Sequence, residues 1–378
     1  MNCSNKRLAL IFLFIFVFIH VWVYAEDAKG YLTVTGPCDL KLPKDHASHP
    51  GYRTEWWYYT GNLQAAGGNR YGFQFTIFRR RIIPSESEKK WPKPSSAWRS
   101  SQIYLAHAAI SDLDGKHHYY AQRVGRGVLG IAGEIQNNDS IRIFLKKWST
   151  RIGPIVHHLR VVADPFSFDL NLTPTKPPVF HGKKGYSQKG STPERASCYY
   201  SFTRLETNGQ MTLAGKTFAV NGLSWMDHEF STAPLEPGLV GWDWFSLQLS
   251  DNTEIMIYLL RQKDGRLNPA SSGTYIRSNG KTKHLSGHDI EITVTDTWSS
   301  PNSRAVYPAR WRIRISSPAM ELIIVPNLAD QEMRTNETTG VIYWEGSVSV
   351  RGLKKGRRIN GQGYVELTGY AKAFDAPL

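Results

Sequence analysis

Asp227-His228-Glu229, Asp243 between Trp242 and Trp244, and Tyr258 on the segment that follows form the densest mix of ionisable and aromatic residues in the chain. An imidazole titrates near neutral pH and a neighbouring carboxylate adjusts it, so a histidine beside acids in an aromatic-lined pocket is suited to donating a proton. The same residues also suit a hydrogen-bonded junction, with Asp227 and Glu229 capping backbone groups and His228 satisfying a buried carbonyl; residue type does not separate the two readings. If Trp225–Phe230 is extended, Asp227 and Glu229 share one face while His228 takes the other with Met226 and Phe230. The three therefore cannot be consecutive metal ligands, and no metal or other cofactor is expected. Glu345 and Glu366 sit among apolar residues of the last two strands. They either receive a polar group or pair with arginines such as Arg310, Arg312 or Arg314. Glu55, at the edge of Trp56-Trp57-Tyr58-Tyr59, is either an exposed strand start or a buried acid with a raised pKa.

The elements that must position these residues read as strands. Trp242–Leu249, a short turn and Glu254–Arg261 form one hairpin, and Trp56–Leu63, a Gly-rich turn and Gly72–Arg79 repeat its plan. Trp56 then matches Trp242, Tyr58 matches Trp244, Leu63 matches Leu249 and Arg79 matches Arg261, and Ile110–Lys116 resembles Tyr275–Lys281 further on. Two copies of one β-rich unit explain this order. Aromatic residues at consecutive positions of Trp56–Tyr59 occupy both faces of a strand, which fits a barrel wall packed on both sides. Many short strands with turn signals between them predict an all-β protein of sandwiches or up-and-down barrels, with one or two helical turns over Leu328–Arg334. The expected division is a signal segment at 1–25, a first unit at 26–225 and a second at 226–378.

Lys6 and Arg7 precede an apolar run, Leu8–Tyr24, that ends in Val23-Tyr24-Ala25, the pattern of a cleaved secretory signal; an uncleaved N-terminal membrane anchor is the alternative. The expected location is periplasmic or secreted. Removing these two of the 46 basic residues against 32 acidic ones leaves the mature chain at +12. That charge favours an anionic surface or an acidic ligand. Nucleic acid is not expected as a partner, since the basic residues are scattered. Cys38 and Cys198 remain after the signal, and in an oxidising compartment they can tie the N-terminal segment to a late strand of the first unit. His46 and His49 lie in a polar loop with no third His or Cys nearby in sequence and read as surface or hydrogen-bonding groups. His107 reads as a satisfied core histidine. Pro84–Ser101 and Thr173–Pro193 read as long loops, the first a candidate lid. No G-x-S-x-G elbow, H-E-x-x-H helix, phosphate-binding glycine loop or zinc-spaced cysteine pair is present.

Pro43–Leu63, Ala106–Asp112, Gly222–Ser231 (GLSWMDHEFS), Gly241–Leu249 (GWDWFSLQL) and the late YWEGSVSVRG and GYVELTGY segments together resemble the family that groups bacterial carotenoid 1,2-hydratase with AttH-type exported proteins. The resemblance implies two consecutive lipocalin-like (calycin) barrels and partnership with an ABC-type export system. It also implies two chemistries. Hydratases of the family protonate a terminal double bond and add water without a cofactor, with aromatic faces stabilising the carbocation. Their histidine corresponds to His228, a Trp of theirs to Phe230, and an aromatic on the paired strand to Tyr258. Their essential aspartate falls on Leu260, so an acid would have to come from another wall, from Asp227, Asp243 or Glu229. The leading expectation is an exported protein that binds a lipophilic molecule in a hollow inside or between the copies, for envelope lipid handling. Trp56, Tyr58, Trp242, Trp244 and Tyr258 would line that hollow, with Glu55, Phe230, Glu345 and Glu366 as further ligand contacts. The alternative is a hydratase.

Overall fold

Large apolar residues recur every second position in runs bounded by Gly, Asn and Asp turns, and such runs stabilise strands that bury one face against another layer. The computed structural model describes residues 29–233 and 235–374. The expected signal and its membrane-anchor alternative fall on residues that lie outside this range, and among the described residues no helix is long and apolar enough to cross a membrane. The chain is nearly all β, with a 13-stranded sheet followed by a 10-stranded one, both antiparallel throughout. The first curls into a nearly closed barrel and the second into a half-barrel.

The duplication is visible residue by residue in the strand registers. Strand Thr54–Ala65 pairs with Arg70–Arg81 so that Glu55 faces Arg79, Trp56 faces Phe78 and Tyr58 faces Thr76. Strand Leu239–Leu249 pairs with Glu254–Gln262 so that Gly241 faces Arg261, Trp242 faces Leu260 and Trp244 faces Tyr258. On their other edges, Tyr58 faces Asp227 and Trp244 faces Glu366. One strand further, Asp227 faces Ser201 and Glu366 faces Glu345. Asp227 and Glu366 are thus equivalent positions of the two copies.

Each copy fills its own interior. Trp57, Tyr59, Phe73, Phe75, Ile77 and Trp148 pack inside the first barrel, and Phe245, Leu247, Trp311 and Trp344 inside the second. A third cluster, with Tyr58, Tyr199, Trp225, Trp244, Met256 and Tyr258, joins the outer faces of the two sheets. This explains the doubly aromatic strand: Trp57 and Tyr59 point into the barrel, Trp56 and Tyr58 toward the other copy. Asn62 donates to the Gly363 carbonyl and Gln248 to those of Thr203 and Ser224 across the junction. A buried Lys176–Glu254–Arg204 triad adds charge-assisted hydrogen bonds of 2.6–2.9 Å.

Three expectations need correcting. Strand Lys216–Ser231 belongs to the first sheet along its whole length, pairing with Thr54–Ala65 as far as Thr54 opposite Ser231, so a boundary at 225 would cut through it. Leu328–Arg334 is not helical; Glu332–Arg334 adds a short strand beside Ile342–Lys354, because its alternating side chains pack on the second sheet. The Pro84–Ser101 segment contains a five-residue helix, Ser85–Lys89. The expected bond between Cys38 and Cys198 is present, with Cα atoms 5.9 Å apart.

Candidate active site

The hollow lies between the copies. A cavity of about 200 Å³ separates the outer faces of the two sheets, and all five expected wall residues, Trp56, Tyr58, Trp242, Trp244 and Tyr258, line it together with Phe78 and Leu260. Four carboxyl groups enter from the strand registers described above: Asp227, Glu229, Glu345 and Glu366. Period-two alternation accounts for the placement, since Asp227 and Glu229 face the cavity while His228 faces the barrel interior.

The acids sit in different surroundings. Asp227 accepts hydrogen bonds from Trp225 Nε1 at 2.6 Å, from Tyr199 Oη at 2.8 Å and from Ser201 Oγ. Burial nevertheless outweighs them and pushes its pKa up to about 7. Glu366 accepts from Thr368 Oγ1 at 3.0 Å, and burial raises it to about 7 as well. Glu345 accepts from Tyr58 Oη at 2.6 Å through Oε1, while its buried Oε2 has no partner among the described residues. Burial, then the neighbouring Glu366 carboxyl, holds Glu345 well above the usual carboxylate range. Glu229 differs: Lys189 Nζ lies 3.2 Å from it and Ser197 donates to it. The arginines considered as partners for Glu345 and Glu366 are elsewhere, Arg312 and Arg314 lying beside Glu321 on the half-barrel's exposed side. Near neutral pH Glu345 therefore faces the apolar interior as a carboxylic acid while Asp227 and Glu366 are poised about midway through their titration, a range suited to general acid catalysis.

The profile of one family matches residues 33–370, which is most of the chain. The chain belongs to the AttH-like family. A crystal structure of a protein assigned as an AttH from Nitrosomonas europaea superposes with a TM-score of 0.78 at 30% identity, over 90% of this chain and 99% of that one. Kievitone hydratase from Nectria haematococca shares the fold with a TM-score of 0.65 at 16% identity, over 90% and 96% of the two chains. CghA, solved with Sch210972, aligns with a TM-score of 0.51 at 12% identity, over 91% and 97%. No curated protein sequence matches the chain.

Four residues expected at the site of this AttH-like protein lie away from the cavity. His228 is fully buried inside the first barrel, with Nε2 2.8 Å from Glu55 Oε1, Nδ1 2.9 Å from Tyr200 Oη and its ring stacked on Trp57. Burial lowers its pKa, and strand alternation keeps it on the face opposite the acids. Phe230 shares that face and stacks on His49 with ring centroids 3.7 Å apart. Asp243 points into the half-barrel, where Arg261 Nε donates to it at 2.8 Å and Tyr370 Oη at 3.0 Å. Glu55 is neither exposed nor raised. Burial would push its pKa up, but the Arg79 guanidinium at 2.8 Å and hydrogen bonds from His228 and His49 hold it well below the usual range.

His49, Glu55 and His228 bring three potential ligand atoms within 4.8 Å of one another, a convergence invisible in sequence because the third group comes from a distant strand. Arg79 makes the set a poor metal site. A divalent ion there would place three positive charges against the Glu55 carboxylate, whose oxygens already accept from both imidazoles, Arg79 and the His49 backbone. His46, expected at the surface or in a hydrogen bond, is buried and bonded to Tyr200 Oη at 2.7 Å. His107 has both nitrogens bonded, to Tyr343 Oη and Thr338 Oγ1 at 2.8 Å each, and burial pushes it down to about 3, so this cavity-wall imidazole is neutral.

Sequence reasoning missed the contribution of the Thr173–Pro193 loop. It folds against the cavity and supplies Lys189, whose ammonium lies 3.9 Å from the Tyr258 ring centroid and 5.0 Å from that of Tyr199. It also supplies His181, 2.7 Å from Ser201 Oγ and neutral because burial lowers its pKa to about 3. Ser201 in turn donates to Asp227. The sequence offered only the loop's length as a signal, and no periodicity assigns a loop's lysine or histidine to a site.

Proposed function

We propose that this AttH-like protein binds an apolar, unsaturated small molecule between its two sheets and adds water across a carbon–carbon double bond by acid catalysis. The observation that carries the reading is the set of three buried acids, Asp227, Glu345 and Glu366, on the wall of an aromatic cavity. A protonated carboxyl transfers its proton to the alkene, forming a C–H bond and a carbocation. The π faces of Trp56, Trp242 and Trp244 stabilise that charge. Water then attacks the cation, and the proton it releases returns to a carboxylate, so the acid is regenerated. Kievitone hydratase, a structural neighbour, is a hydratase by name and lends the reaction class support.

Incubation with acyclic isoprenoid alkenes in ¹⁸O-labelled water tests this. Labelled tertiary alcohol is expected, and its absence across a panel of such alkenes overturns hydration. The second reading is binding without turnover, in envelope lipid handling beside an ABC-type permease; it is favoured by Leu260, where the family's hydratases place their aspartate. Mass spectrometry of natively extracted protein separates the readings, because a stable bound lipid without a hydrated counterpart supports the second. We propose that either role is carried out outside the cytoplasm, a reading that the Cys38–Cys198 bond supports.

A further inference from the structure

Donor accounting at Glu345 constrains what the cavity accepts. The Tyr58 phenol has one proton, and at 2.6 Å it is donated to Glu345 Oε1. The proton of the neutral Glu345 carboxyl then belongs on Oε2. That atom is buried, belongs to a cavity-lining residue and has no acceptor among the described residues. A buried donor without an acceptor is costly, whereas a ligand oxygen placed beside it recovers the hydrogen bond. The charge pattern sharpens the point. Of the two cations on the cavity wall, Lys189 is matched by Glu229, and Arg195 lies close enough to Glu236 to lower its pKa, so an anionic ligand group near Glu345 would meet Asp227, Glu345 and Glu366.

We infer that the cavity is selective for neutral, apolar molecules carrying one hydrogen-bond acceptor, a ketone or aldehyde oxygen, which Glu345 Oε2–H receives. This rests on the cavity assigned above as the substrate site and adds the class of substrate. Hydrocarbon and carboxylate relatives of the same skeleton are the disfavoured ligands.

The test is a titration of the full chain with β-ionone, a neutral conjugated ketone, with the hydrocarbon of the same skeleton, and with β-ionylideneacetate as the anion. Quenching of Trp56, Trp242 and Trp244 fluorescence reports binding. The ketone is expected to bind about tenfold more tightly than the hydrocarbon, the value of one buried hydrogen bond, and the anion more weakly than the ketone. Glu345→Gln keeps an N–H donor at the Oε2 position and retains the ketone preference; Glu345→Leu abolishes it, so that ketone and hydrocarbon bind that variant with equal affinity. Equal affinity for ketone and hydrocarbon in the native protein, tight binding of the anion, or a ketone preference that survives Glu345→Leu overturns the inference. Should Glu345→Leu not fold, the infrared carbonyl stretch of β-ionone bound to the native protein decides: a shift to lower frequency supports the bond and an unshifted band refutes it. Ketone preference without ¹⁸O incorporation refutes hydration alone, and turnover without ketone preference refutes this inference alone.

Discussion

Replacing Glu366 by Gln isolates the energetic consequence of burying an acid at the sheet junction. The carboxyl titrates near 4.5 when solvated and near 7 in the folded protein. Between these values the native state holds a proton that the unfolded chain has lost, so stability falls as pH rises through the window; it is fully present below about 4.5 and gone above about 7. At 1.36 kcal/mol per pKa unit, the loss is about 3 kcal/mol. The unfolding entropy of about 350 ordered residues, at 2.1 cal/mol/K each, is about 0.7 kcal/mol/K, so the loss corresponds to about 4 °C in Tm. Glutamine is neutral throughout and matches the shape of the protonated acid. Thermal unfolding followed by circular dichroism at pH 5 and pH 8 should therefore show a Tm decrease about 4 °C smaller in Glu366→Gln than in the native protein. Titrating groups away from the cavity cancel in the comparison, while Glu345 stays raised by its own burial in both proteins. Equal decreases in the two proteins would refute the claim that Glu366 enters the folded state as a neutral acid.

Hydration should slow as pH rises through about 7, because Asp227 and Glu366 lose their protons there; a rate–pH profile flat from 6 to 8.5 contradicts acid catalysis by either group. Arg79→Met should destabilise the protein by about 3–5 kcal/mol in urea titration, since Glu55 would keep a buried charge without its guanidinium, and adding Glu55→Gln should recover part of the loss. Reduction of Cys38–Cys198, which closes 160 residues of chain, should cost up to about 5 kcal/mol by loop-closure entropy, read as a lower Tm in dithiothreitol with no change in far-ultraviolet spectrum at 20 °C.

The duplication and the strand faces were legible because both depend on local order. The Trp56/Trp242, Tyr58/Trp244 and Arg79/Arg261 matches reappear in equivalent registers, and alternation alone separates Asp227 and Glu229 from His228. The fate of Glu55 was not legible from its own surroundings. Its burial depends on Arg79, which lies across a hairpin, and the clue was the repeat itself, since Arg261 stands at the matching position beside a buried Asp243. Glu345 and Glu366 look in sequence like acids awaiting arginines. Register sends them to the junction and leaves Arg312 and Arg314 on the solvent side, a choice that one strand's composition cannot encode. The loop residues Lys189 and His181 were beyond reach for a similar reason: no periodicity governs where a loop folds back.

Leu260 poses the remaining question, because the resemblance to carotenoid hydratases assigns that position an aspartate. Strand Leu239–Leu249 is flanked by Glu254–Gln262 on one side and Arg357–Thr368 on the other. Leu260 lies on the first flank, opposite Trp242, and Glu366 on the second, opposite Trp244, and both line the cavity. The flank without a carboxyl at Leu260 thus lies across the strand from a flank that carries one at Glu366, on the wall of the same cavity. If the acid has changed flanks, Glu366→Gln should lower the hydration rate by about a hundredfold or more, the usual worth of a general acid. Leu260→Asp in that background should restore at least about tenfold, with substrate affinity little altered. A double variant that folds, binds and remains as slow as Glu366→Gln would show that the two flanks are not interchangeable, and the proton would then have to come from Asp227 or Glu345.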